Sequence, residues 1–170
     1  MSDLRSGLNK LRFYKTLKSS FTIEPYLSLV ENRNQRSWLS RIRISAHRLH
    51  IATGRYTTPS TPVSARLCRY CSYDIIDDES HLLTCPTFST KINCLFGKIS
   101  AVNCDFQNLS IEQKIISLLW PAVTKTAKIF NKFIGIIFKA RDRIDKGEPI
   151  DVASFTNTNL DYNSDDSDQE

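Results

Sequence analysis

RLCRYCSYDIIDDESHLLTCP, residues 66–86, holds the spacing from which the rest of the chain is read: Cys68-x2-Cys71-x9-His81-x3-Cys85. A short Cys-x-x-Cys turn presents two thiolates to one ion, and a second pair returning after a hairpin-length gap completes a tetrahedron of N and S donors, the coordination Zn²⁺ takes in structural sites. All four positions are filled and none is left open for water. The spacing therefore predicts a structural zinc held by Cys68, Cys71, His81 and Cys85. Ser72 to Ser80 is long enough for a hairpin and a turn. Asp77, Asp78 or Ser80 can then cap a short helix that carries His81 and Cys85, four residues apart, on one face. Three thiolates and a neutral imidazole make the loaded site negative, a charge Arg66 and Arg69 would offset.

Other chemistries fit this segment less well. A zinc deaminase needs His-x-Glu followed by Pro-Cys-x-x-Cys, whereas here His81 precedes Leu82 and Leu83 and the ligand order is reversed. A redox Cys-x-x-Cys wants a strand-to-helix setting, which the Thr- and Pro-rich run at 57–62 does not suggest. Asp74, Asp77, Asp78 and Glu79 are acidic enough for Mg²⁺, but crowded into one loop beside the zinc ligands they are expected to cap and to be solvated. His47 and His50 have no Ser or Cys nucleophile placed near them by sequence. The expectation is a protein that is not an enzyme and has no small-molecule substrate.

Around this centre the pattern is helical. Residues 3–18 place Leu4, Leu8 and Leu11 at helical spacing, and Pro25 can open a short helix over Tyr26, Leu27 and Val30, with Asn32 to Asn34 breaking it. From Gln35 to about His50, Trp38, Leu39, Ile42, Ala46 and Leu49 fall in a wedge of about 100°, one buried face of an amphipathic helix. Thr90 to Ile99 predicts a further helix and Asn103 to Asn108 a loop. Ser110 caps the next helix, with Glu112 and Gln113 in its first turn, and Pro121 marks the start of the last. There, Val123, Ala127, Ile129, Phe130, Phe133, Ile134, Ile136, Ile137 and Phe138 cover more than half the circumference. Lys125, Lys128, Lys132, Lys139 and Arg143 fall on the remaining stripe, about 60° wide. The fold class expected is mainly α: a small helical domain with a central zinc-stapled hairpin-helix segment. Its divisions are a basic helical region at 1–56, a linker and zinc segment at 57–89, C-terminal helices at 90–147 packing on the first region, and a disordered acidic tail at 148–170.

The 170 residues suffice for one ordinary domain, or two small ones sharing a core. No apolar run is long enough to span a membrane, and Met1 to Lys10 has no hydrophobic signal core. Five cysteines, an odd number, then point to a reducing compartment, nuclear or cytoplasmic, with Cys94 and Cys104 as ordinary thiols. Charge is divided unevenly. Residues 151–170 carry six acids and no Lys or Arg, so the first 150 residues hold a net charge of +11. A body that basic attracts phosphate-rich or acidic partners, nucleic acid foremost.

The run Arg41-Ile-Arg-Ile-Ser-Ala-His-Arg-Leu-His-Ile-Ala-Thr-Gly-Arg-Tyr56, followed by Arg66-Leu-Cys-Arg-Tyr-Cys71 and Ile76-Asp-Asp-Glu-Ser-His-Leu-Leu-Thr-Cys-Pro86, resembles the C-terminal zinc-binding region of reverse transcriptases from non-LTR (LINE-type) retrotransposons. The similarity extends from about Leu11 to Phe88 and continues, mainly in pattern, to about Arg143. Its most specific parts are Ala52-Thr-Gly-Arg-Tyr56 and the Cys, Cys, His, Cys set, whose members the resemblance carries over as zinc ligands. It implies a region that helps grip the element's RNA or target DNA. No Tyr-x-Asp-Asp polymerase motif is present, so the expectation is a C-terminal module detached from the polymerase. The contacts expected for RNA or DNA are Arg36, Arg41, Arg43, Arg48, Arg55, Arg66 and Arg69, with Lys125, Lys128, Lys132 and Lys139 as a second surface. Tyr56 and Tyr70 would stack on unpaired bases. The alternative is a zinc-stabilised module that docks a protein partner, for which the apolar 123–138 helix would be the surface.

Overall fold

The computed structural model describes Leu11, residues 13–18 and residues 23–148. The expected acidic tail, apart from Glu148, lies outside the described residues, as does most of the helix expected over 3–18, of which Tyr14–Leu17 forms one turn, α1. Pro25 opens α2 (Pro25–Leu29) as expected. Asn32 starts the next helix rather than breaking one: its Oδ1 accepts the Gln35 amide at 3.1 Å and caps α3 (Arg33–Arg43).

The helix predicted to run on to His50 stops at Arg43. Ser45 takes a left-handed φ of 53°, its amide donates to the Ile42 carbonyl at 3.1 Å, and the Ala46 amide reaches back to the Arg41 carbonyl at 2.7 Å. These two bonds satisfy carbonyls that the helix end leaves open. Gly or Asn usually holds that left-handed position, so a Ser there gives the sequence pattern no stop signal. Ala46 consequently lies exposed, while Leu49 is fully buried from a separate segment.

Then come α4 (His50–Thr53), a 3₁₀ turn at Val63–Ala65, α5 (Glu79–Leu82) and a 3₁₀ turn at Pro86–Phe88. The chain continues as α6 (Ser89–Ser100), a 3₁₀ turn at Cys104–Asn108 where a loop was expected, α7 (Ile111–Leu119) and α8 (Thr124–Asp145). Ser110 and Gln113 cap α7 reciprocally: Ser110 Oγ accepts the Gln113 amide at 3.2 Å, and Gln113 Oε1 accepts the Ser110 amide at 2.9 Å. The last helix starts at Thr124, three residues after Pro121. Among the described residues the sole strand-like pairing is one antiparallel bridge, Leu67 to Ile76. The fold is mainly α.

α8 is the axis on which α2, α3, α6 and α7 pack. Its Phe130, Phe133, Ile134, Ile137 and Phe138 are buried in one cluster with Leu39 and Ile42 of α3, Leu95 and Ile99 of α6, and Leu118 and Leu119 of α7. Each such side chain withdrawn from water contributes about 1.5–3 kcal/mol. Trp38 stacks on Phe138 with ring centroids 5.3 Å apart, which fixes α3 across α8. The core therefore joins elements from both ends of the described chain, and the metal-ligand segment, inserted between them, lies against it through Cys68, Leu82, Leu83, Cys85 and Phe88.

Candidate metal centre

The hairpin is built around the Leu67–Ile76 bridge. The Cys68 amide donates to the Ile75 carbonyl at 2.8 Å and the Asp77 amide to the Arg66 carbonyl at 2.9 Å. These bonds hold the first ligand pair at the base of the loop. Of the three capping residues expected, Asp78 does it: its Oδ1 accepts the His81 amide at 2.9 Å. α5 is a single turn, and Cys85 does not ride on it. Pro86 bars its predecessor from helical backbone, and Cys85 is extended (φ −62°, ψ 121°). His81 and Cys85 thus meet through a bend, not along one helical face.

The ligand atoms of Cys68, Cys71, His81 and Cys85 all lie within 4.8 Å of one another, with Cys68, His81 and Cys85 buried and Cys71 half-buried. Donor-to-donor edges in a tetrahedral thiolate and imidazole site are about 3.5–3.8 Å, which follows from metal–ligand bonds of 2.0–2.3 Å. Cys71 Sγ stands 3.5 Å from His81 Nε2, at one such edge already. His81 also differs from the other two described histidines. His47 Nδ1 accepts the Leu49 amide at 3.2 Å and its Nε2 donates to Glu79 at 2.9 Å; His50 Nδ1 meets the Leu67 carbonyl at 3.0 Å. His81 Nδ1 is buried with no hydrogen-bond partner, and its Nε2 faces sulfur. A buried imidazole without an oxygen partner among free cysteines is a donor set suited to a cation.

The sulfurs are close enough to act on one another. Cys68 is pushed up to about 11, first by donating to Cys85 and then by burial, and Cys85 is lowered because it accepts from Cys68. The Tyr70 amide points at Cys68 Sγ from 3.5 Å, and the Thr87 amide donates to Cys85, the pattern of N–H support found around ligating thiolates. The set can hold one metal ion in a closed shell of three sulfurs and one nitrogen.

The acidic loop residues are engaged elsewhere. Asp77 takes a bidentate pair from Arg141 (2.9 and 3.0 Å), accepts the His50 amide at 2.8 Å, and so caps α4 as well. Buried Glu79 accepts from His47 at 2.9 Å and from Ser45 Oγ at 3.3 Å. Asp78 is the α5 cap, and Asp74 is exposed. Arg66, expected to offset the cluster's charge, instead donates to the carbonyls of Ile51 and Thr61, both at 2.9 Å.

That arrangement corrects the set of nucleic-acid candidates, as does Arg43. Arg66 is buried, its stem across Gly54, and Arg43 is buried between the rings of Tyr26 and Trp120, donating to Glu24 and to the Leu119 carbonyl. Both guanidiniums satisfy interior acceptors and cannot reach a phosphate. Tyr70 is likewise occupied: its ring lies 4.6 Å from the Arg141 guanidinium and its hydroxyl donates to Asp145 at 2.9 Å. Arg36 is half-buried and donates to the Val30 and Glu31 carbonyls, both at 2.9 Å; Arg55 and Lys128 are half-buried too.

Arg41, Arg48, Arg69, Lys125, Lys132 and Lys139 are exposed. Two of these meet at the seam of α3 and α8. The guanidiniums of Arg41 and Arg48 lie 5.7 and 6.0 Å from the Trp38 ring, and Arg48 reaches Asp142, one turn beyond Lys139, at 2.6 Å. Arg69 stands apart, on the metal hairpin.

Sequence reading missed Arg141 and Lys114. Each has a helical-wheel signal: Arg141 follows Ile134 and Ile137 at seven and four residues, a cation on the apolar face. Lys114 clamps the preceding turn by donating to the Gln107 and Leu109 carbonyls at 3.0 and 2.7 Å. No described helix is long and apolar enough to cross a membrane. Comparison with protein-family models, with curated proteins and with solved structures finds no match to this chain.

Proposed function

We propose that the chain is a zinc-stapled module that binds RNA or DNA, with zinc in a structural role, and that it derives from the C-terminal region of a LINE-type reverse transcriptase. The observation that carries the reading is the division of labour among its cations. Arg43, Arg66 and Arg141 are buried in the interior, while Arg41 on α3, Arg48 in the segment that follows it, and Lys125, Lys132 and Lys139 on α8 are exposed. A tetrahedral set of three sulfurs and one nitrogen suits Zn²⁺ above harder cations, and filling it supplies roughly 10–16 kcal/mol of apparent binding energy that is also folding energy. The docking alternative loses its main surface, because Ala127, Ile129, Phe130, Phe133, Ile134, Ile137 and Phe138 are core.

Two measurements test this. Metal analysis of the purified protein should give one zinc per chain, and chelation should remove it together with the helical signal. Binding to a labelled oligonucleotide should weaken steeply as salt is raised, because phosphate contacts release counterions. Absence of any salt-dependent binding would sink the nucleic-acid reading and leave the zinc reading standing.

A further inference from the structure

Large apolar side chains exposed on a small domain mark contact sites when they gather on one rigid element. Tyr56, Tyr73 and Ile75 are 71, 56 and 47% exposed, and they occupy two segments that a single residue ties together. Arg66 packs its stem on Gly54 and donates to Ile51 and Thr61, which holds the turn carrying Tyr56; its own carbonyl accepts the Asp77 amide, which holds the hairpin carrying Tyr73 and Ile75. The tip itself is fixed by the Ile75 amide donating to the Tyr73 carbonyl at 2.7 Å and by the Cys68 amide donating to Ile75.

We infer that this tip is a stacking site for unpaired bases, so that the module prefers single-stranded RNA or DNA to duplex. The inference rests on the nucleic-acid reading above. Tyr rings held on a rigid turn offer π-faces that any base can cover, at little cost in conformational entropy. A duplex keeps its base faces stacked inside and cannot use them. Exposed Arg69, on the other arm of the same hairpin, supplies a partner for the backbone phosphate. Asp74 sits between Tyr73 and Ile75, exposed, and repels phosphate, so the backbone must run on the Arg69 side with the bases toward the tip. This carboxylate also separates the occupant from an acidic protein segment, which Asp74 would repel without any stacking to compensate. Tyr73 takes the role that sequence reading gave to Tyr70, whose ring and hydroxyl are already engaged.

The test uses the full chain and two fluorescent probes, an oligo(U) of about 12 nucleotides and a hairpin duplex of similar length, a span within the usual site size. Tyr56→Ala and Tyr73→Ala should each lower affinity for the single strand roughly 5- to 100-fold while duplex affinity stays within about twofold. Asp74→Asn should tighten the single strand. Zinc content and thermal midpoint of each variant verify that the fold is intact. If the tyrosine variants change neither probe, or lower both alike, the stacking site is overturned while nucleic-acid binding stands. If the unaltered protein binds neither probe at any salt, both readings fall.

Discussion

Asp77 and Arg141, 64 residues apart in sequence, form a bidentate ion pair with both side chains 3% exposed. The pair joins the loop between the metal ligands to the core's central helix. The same carboxylate also accepts the His50 amide, so three elements meet at one group. Breaking one side of such a pair strands a buried charge. Arg141→Met and Asp77→Asn should each cost about 3–5 kcal/mol, and the double variant clearly less than the sum. Urea midpoints of the four proteins give the cycle; additivity would show that the two groups do not act as a pair.

The interior and surface arginines should separate in their effects. Arg43→Met leaves the Leu119 carbonyl and part of Glu24 unsatisfied, although Lys18 still pairs with Glu24 at 2.8 Å. A loss on the order of 2 kcal/mol is expected. Arg41→Ala and Lys139→Ala should change stability by less than about 0.5 kcal/mol. Each should instead lower the salt slope of nucleic-acid binding by roughly one, the share of a single neutralised phosphate. A surface variant that unfolds the protein, or an Arg43 variant of normal stability, would contradict this assignment.

Two glycines offer opposite outcomes. A Cβ on Gly54 would stand 2.9 Å from Cγ and Cδ of Arg66, whereas one on Gly97 in α6 meets nothing within 4 Å. Gly54→Ala must push Arg66 off the carbonyls it serves and should destabilise by about 1–3 kcal/mol. Gly97→Ala should stabilise by about 0.5–1 kcal/mol through helix propensity. Thermal or urea midpoints that move in the same direction for both would refute the packing argument.

Lys91 gives a pH test. It is 2% exposed, and burial lowers its pKa below the ordinary 10.5. The unfolded chain therefore keeps the ammonium proton to higher pH than the folded one, and stability rises with pH across that interval. At neutral pH the ammonium is charged in both states, and burial opposes that charge in the folded one. The stability of Lys91→Met relative to the unaltered chain should therefore be highest near pH 7 and fall as the pH rises toward 10.5, above which the unfolded chain also gives up the proton. An advantage that grows with pH would reverse the sign and overturn the reading.

The gathering of Cys68, Cys71, His81 and Cys85 was legible, because Cys-x2-Cys-x9-His-x3-Cys needs only local geometry to be recognised, and α6, α7 and α8 were legible from their apolar faces and the Ser110 cap. The end of α3 was not. A left-handed Ser45 carries no Gly signal, and its place is supported by Glu79, 34 residues away. The interior arginines were hidden for a related reason: charge is counted along the chain, but whether a guanidinium faces phosphate or a buried carboxylate depends on what the fold brings to it. Arg66 was assigned to the metal site's charge and to nucleic acid for want of knowing that Gly54 makes room for it.

The cap that Asp77 places on α4 has a consequence for any attempt to excise the metal-ligand segment. Residues 57–89 alone would keep all four donors, yet the Asp77 carboxylate would lose both its guanidinium and its amide, and Glu79 would lose His47. The boundaries suggested by composition at 56 and 89 cut across these buried contacts. A minimal fragment must therefore begin ahead of Ser45 and end beyond Arg141, so no separable unit is confined to the metal-ligand segment.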